Sequence, residues 1–118
     1  MLDVSDLIGV PYLENGRTAD GLDCYGLAIE VERRAGKKLN DIAYSYNYAE
    51  LLDEVLPSLN VKETGEPREG ALVVMTIKRE LHVGVFLNNR QFIHATRNQG
   101  VRISDIKLFN NFKVFEVI

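Results

Sequence analysis

The chain has 118 residues, 46% hydrophobic and 26% charged, which fits one globular domain over residues 1–118 with a core of its own. Its net charge is −3, from 14 basic and 17 acidic side chains. With no cationic stripe to answer a phosphate backbone, no nucleic-acid partner is expected. No apolar run approaches the ~20 residues that cross a bilayer, so no membrane span is expected either. Met1-Leu2-Asp3-Val4-Ser5-Asp6 lacks the basic start and apolar middle of an export signal. The expected localisation is therefore synthesis in the cytoplasm, with any outward delivery left to another carrier.

In chain order, a short helical turn is expected from Asp3 to Ile8, broken by Gly9-Val10-Pro11. The polar, glycine-rich stretch Glu14 to Gly21 reads as a loop. A helix then starts near Cys24: Leu27, Ala28, Val31 and Ala35 recur at three- and four-residue spacing, Asp23 is placed as N-cap and Gly36 as the stop. Arg33-Arg34 and Lys37-Lys38 read as its solvated, dipole-complementing end. Asn47 and Glu50, spaced as a capping box, precede Leu51, Leu52, Val55 and Leu56, which predicts a second helix closed at Pro57. Asn60 to Gly70 reads as a loop.

The C-terminal half changes period. Ala71 to Ile77, His82 to Leu87, Gln91 to Thr96, Val101 to Ile103 and Phe112 to Val117 read as strands, and Asn88-Asn89-Arg90 as a hairpin loop. Helices first and strands second predict an α+β fold, with N-terminal helices packed on a C-terminal antiparallel β-sheet.

One cysteine excludes an internal disulfide. A lone cysteine is usually a small buried hydrophobe. Cys24, however, sits at a predicted helix start, where unpaired N–H groups and the helix dipole favour a thiolate. Gly21 and Gly26 bracket it, which suits close approach of a substrate backbone. Packing and nucleophilic roles both remain open on this evidence. The chain's two histidines add to it. If the loop is residues 88–90, Leu87 pairs with Gln91, Gly84 faces His94 and His82 faces Thr96. His82 and His94 then share one face, diagonally adjacent, with room left by Gly84. A one-residue slip would separate them. Together Cys24, His82 and His94 supply a nucleophile, a base and a group that orients the base, which thiol acyl transfer requires.

Gly9-Val10-Pro11-Tyr12, Gly21-Leu22-Asp23-Cys24-Tyr25-Gly26-Leu27, Leu81-His82-Val83-Gly84-Val85 and Phe92-Ile93-His94-Ala95 resemble, in order, the motifs of NlpC/P60 cysteine peptidases. The resemblance covers roughly Ile8 to Ile106 and implies a papain-like core. It implies hydrolysis of bacterial cell-wall stem peptides, commonly at the γ-D-glutamyl–diamino acid bond. By motif position it makes Cys24 the nucleophile, His82 the general base and His94 the orienting residue. It assigns Tyr12, Asp23 and Tyr25 to the substrate side, and requires no cofactor or metal.

Three departures fall mainly on the substrate side. Tyr25 stands where the family usually has Ser, Glu69-Gly70-Ala71 where it has Pro-Gly-Asp, and the Pro-Arg-Ser-like segment has no counterpart near Leu39 to Tyr44. Compact members occur in phage tails and prophages, which implies delivery to the cell wall by a particle and other tail proteins as partners. Three rivals stand beside this reading: a phage-tail structural or binding module without turnover, a Cys-His-His zinc site lacking any short paired-ligand spacing, and another acyl transferase on the same plan.

Overall fold

The computed structural model describes residues 2–41, 59–78 and 80–118. In chain order these form a 3-10 turn at Ser5–Leu7, a hairpin of β1 (Arg17–Thr18) and β2 (Gly21–Leu22), and helix α1 (Cys24–Arg34). There follow β3 (Val61–Glu63), β4 (Leu72–Ile77), β5 (Glu80–Phe86), β6 (Gln91–Thr96), β7 (Gly100–Asp105), a second 3-10 turn at Ile106–Leu108, and β8 (Phe112–Val117). The last six strands make one antiparallel sheet in the order β3-β8-β4-β5-β6-β7. The α+β expectation holds. The second expected helix, at Asn47 to Pro57, lies outside the described residues.

Helix α1 forms where its pattern says. Asp23 is extended, and its carboxylate accepts a hydrogen bond from the Gly26 N–H at 2.7 Å, capping the first turn. Gly36, at φ +81°, turns the chain out after Ala35. Leu27, Ala28 and Val31 are fully buried against one sheet face built from Leu72, Val74, Val83, Val85, Ile93 and neighbours. Burial of a side chain the size of Leu27 contributes roughly 1.5–3 kcal/mol.

The other sheet face is also covered. Val73, Met75, Phe86, Phe92 and Val114 form a second cluster with Ile106, and Phe109 packs on it. With both faces buried, β4 has four successive buried residues, Leu72 to Met75. That is why those four residues read as an unbroken apolar run instead of an alternating one.

Three expectations are corrected. The stretch from Glu14 to Gly21 is not all loop, because Arg17↔Leu22 and Thr18↔Gly21 pair. Nor is Asn60 to Gly70, because Val61–Glu63 adds to β8 as an edge strand. Strands of two or three residues are too short to show a period, and only their partners make them visible. Finally, the basic end of α1 is not simply solvated. Arg34 binds both carboxylate oxygens of Asp6, at 2.5 and 2.8 Å, and Glu30 at 2.8 Å. It ties the N-terminal segment to the helix.

That segment places Tyr12, a residue expected on the substrate side. Gly9 donates to the Val101 carbonyl and Val101 to the Val10 carbonyl, while Leu22 donates to Pro11 and Leu13 to Leu22. Residues 9–13 are thus stitched between β7 and β2. They cover the sheet edge and carry Tyr12 toward the start of α1.

Candidate active site

The β5–β6 hairpin has the expected register: Gly84 faces His94, Val85 faces Ile93, Phe86 faces Phe92, and Leu87 donates to Gln91. The ladder stops at Gly84↔His94. Beyond it, β5 stays paired with β4 out to Glu80, and β6 with β7 out to Thr96. The expected His82–Thr96 pair therefore does not form, and the two strands part. Side chains from both sheet faces open into the gap. Leu81 and Ala95 come from the helix side, His82 and His94 from the other, and all four line one cleft of about 410 Å³. Cys24 lines the same cleft from the start of α1. The sheet splits where the helix N-terminus meets it, and the three expected catalytic residues converge there.

His82 Nε2 lies 2.7 Å from His94 Nδ1, and His94 Nε2 lies 2.8 Å from Ser104 Oγ. Ser104 completes a relay that motif reading missed. The ladder places it on the right face, since Arg102 is opposite His94 and Ser104 is two residues on. One of the two proton arrangements that satisfy the chain suits a base: His82 donates from Nε2, His94 accepts at Nδ1 and donates from Nε2, and Ser104 accepts. His82 Nδ1 is then left to take a thiol proton.

The relay is dry. His94 packs on Phe92, with ring centroids 4.5 Å apart, and edge-on against Phe109 at 6.0 Å. Burial lowers the His82 imidazole to about 4. Burial also lowers His94, and the neighbouring His82 and Arg102 charges push it the same way. Both rings therefore rest neutral near pH 7, as a base awaiting a proton must.

Cys24 is 1% exposed, with Sγ 4.0 Å from the Leu81 carbonyl oxygen. It is buried in its walls yet borders the cleft, at the end of α1 where the dipole favours negative charge. Tyr12 also lines the cleft, with the Arg97 guanidinium 5.9 Å above its ring.

Asp23 and Tyr25, expected on the substrate side, lie off the cleft. Asp23 is fully buried: one oxygen takes the Gly26 N–H and the Arg17 guanidinium at 2.9 Å, the other the Asn15 N–H at 2.9 Å. Tyr25 is 3% exposed and donates its hydroxyl to the Asn40 carbonyl. Burial, its largest influence, raises its phenol above the usual range. These two side chains hold the β1–β2 hairpin and the chain after α1 against the helix.

The flanking glycines have the same purpose. A β-carbon on Gly26 would stand 2.1 Å from the Gly16 carbonyl oxygen, and one on Gly21 2.5 Å from Leu13 Cβ. The close approach expected there is made by the protein's own chain. Gly84 likewise leaves no vacancy: a β-carbon would meet the Phe92 ring at 2.7 Å. That ring fills the space and supports His94.

Among the described residues, no group of three His, Cys, Asp or Glu side chains is arranged to hold a metal ion. The facing nitrogens of His82 and His94 point at each other, not at a shared third point.

The NlpC/P60 family pattern matches residues 9–112. The chain belongs to the NlpC/P60 family. It is 32% identical over 107 residues to the probable endopeptidase NlpC of Escherichia coli K12, covering 83% of this chain and 60% of that protein. It is 26% identical over 117 residues to the NlpC homologue of Haemophilus influenzae, covering 86% of this chain and 50% of that one. The chain thus spans about half to three fifths of the length of these relatives. The fold matches the crystal structure of the NlpC/P60 domain of the peptidoglycan hydrolase SagA, with TM-score 0.64 and 21% identity over 92% of this chain and 88% of that one.

Proposed function

We propose that this chain is a cysteine endopeptidase of bacterial cell-wall stem peptides, cutting the γ-D-glutamyl–diamino acid bond through a thioester acyl-enzyme. The observation that carries this reading is the relay His82–His94–Ser104 in a cleft that also holds Cys24 at a helix N-terminus. Relatives named as a probable endopeptidase and a peptidoglycan hydrolase support the substrate class.

That geometry supports each step of the proposed reaction. His82 Nδ1 takes the Cys24 proton, and the resulting imidazolium is steadied through Nε2 by neutral His94. The thiolate attacks the scissile carbonyl carbon, and the C=O electron pair moves to oxygen. The Cys24 backbone N–H at the helix start is the proposed donor to that oxyanion. Collapse breaks the C–N bond, and His82 hands its proton to the leaving amine. Water then adds to the thioester, with His82 taking its proton. The acid leaves as the proton returns to sulfur.

The test is digestion of purified muropeptides by the native chain and by Cys24→Ala, with products read by mass. Cleavage between D-glutamate and the diamino acid by the native protein alone supports the proposal. No cleavage of any stem peptide defeats the substrate assignment.

A second reading is a phage-tail structural or binding module with this fold and little turnover. The burial of Asp23 and Tyr25, away from the cleft, favours it. Delivery to the wall by a phage particle, beside other tail proteins, suits either reading. Slow labelling of Cys24 by an alkylating probe near neutral pH selects the module, and fast labelling the enzyme.

A further inference from the structure

Arg102 stands directly across from His94 in the β6–β7 ladder. Such opposed residues leave the sheet on one face with β-carbons about 5 Å apart. Arg102 lines the catalytic cleft and is exposed to solvent. Among the described residues it makes no ion pair and no side-chain hydrogen bond. Lys78, at φ +51° in the turn after β4, stands on the rim of the same cleft, also without an ion pair among the described residues. Arg97 is a third cation there, and no described Asp or Glu lines the cleft. Yet acidic residues outnumber basic ones 17 to 14 over the whole chain. Among the described residues, the charge that lines this cleft is therefore positive, where the proposed substrate would lie.

Position narrows its purpose. His82 must deliver a proton to the leaving amine, so the amine-donating residue lies over the histidine side of Cys24. Arg102 is one strand beyond His94 on that side. Resting on the peptidase reading above, we propose that Arg102 binds a free carboxylate on the amine-donating residue of the scissile bond. The substrates favoured are stem peptides whose diamino acid keeps an acid group, with Lys78 adding attraction at the rim. A guanidinium fork suits a carboxylate in two-point contact, and a neutral amide in its place forfeits the charge. Two carboxylates qualify chemically: the side-chain acid of a diamino diacid such as diaminopimelate, and the α-carboxyl of a peptide that ends at that residue.

The experiment compares kcat/KM for three tripeptides with identical acyl sides that end in diaminopimelate. One has both acids free, one its side-chain acid amidated, and one its α-carboxyl amidated. The native chain is expected to cut one amidated form about tenfold to a hundredfold less well than the free form, and that form identifies the carboxylate. Arg102→Gln should bring the ratio close to one, while Arg102→Lys should keep part of it. Thermal melting and the Cys24 alkylation rate check that both variants are folded. Equal cutting of all three by the native chain overturns the inference and leaves the peptidase reading standing. A preference that persists in Arg102→Gln overturns the assignment to Arg102. Failure to cut any of the three removes the peptidase reading and this inference together.

Discussion

Ser104 Oγ lies 2.8 Å from His94 Nε2, so a hydroxyl one strand away holds the His94 nitrogen that faces away from His82. If Ser104 accepts from Nε2–H, Nδ1 is the acceptor for His82. Without that partner the opposite tautomer becomes competitive and turns an N–H toward His82 Nε2–H.

Ser104→Ala is therefore expected to lower kcat about tenfold, the worth of one buried hydrogen bond, with KM nearly unchanged. Ser104→Thr, which keeps the hydroxyl, should recover much of the loss. Steady-state kinetics on a stem peptide checks both. A fall confined to KM would place Ser104 on the substrate instead.

Acid should destabilise the fold through the two histidines. Burial holds His82 at about 4 against an ordinary 6.5, and His94 is lowered in the same direction. Between those values the unfolded chain binds more protons than the folded one, so stability falls with pH below 6.5 and levels off near the folded value. Melting of Cys24→Ala, in which no thiolate offsets the charge, should show this decline between about pH 6.5 and pH 4. His82→Gln in that background should flatten it.

Glu32 shows the opposite sign. It is fully buried in α1, neither carboxylate oxygen has a hydrogen-bond partner among the described residues, and burial raises it to about 7 from an ordinary 4.5. The folded chain holds this proton longer, so the group costs stability as pH rises from 4.5 to 7. Glu32→Gln should raise the melting temperature at pH 8 by an amount equivalent to about 1–3 kcal/mol. At pH 4 it should change little. Equal shifts at both pH values would assign the effect to packing.

Asp23→Ala should be a folding lesion before it is a kinetic one. It removes an N-cap, the acceptor of the Asn15 N–H and one of the two carboxylates that Arg17 binds, an expected cost of about 1–3 kcal/mol. Denaturant unfolding checks it. An unchanged midpoint with a raised KM would return Asp23 to the substrate side.

Much of the site was legible in the sequence because it is written in local chemistry. A lone cysteine after an N-cap aspartate gave its place at a helix start. The three-residue loop at Asn88 to Arg90 set the β5–β6 register, and the two-residue period then put His82 and His94 on one face. The family resemblance implied the roles proposed for them. The short strands β1 and β3 were not legible, because two or three residues carry no period.

The sequence by itself determined the α+β class, the limits of α1 and the long strands, and the facing of the two histidines, since each follows from neighbours within one helix or hairpin. Only the tertiary structure decided that β5 and β6 part beyond Gly84 and His94 to open the cleft. It alone brought Ser104 into the relay, closed Asp23 behind Arg17, and set Arg102 beside the His82–His94 pair. Those outcomes depend on which distant segments share the same space, and pairing between strands and loops far apart in the chain leaves no period in either one.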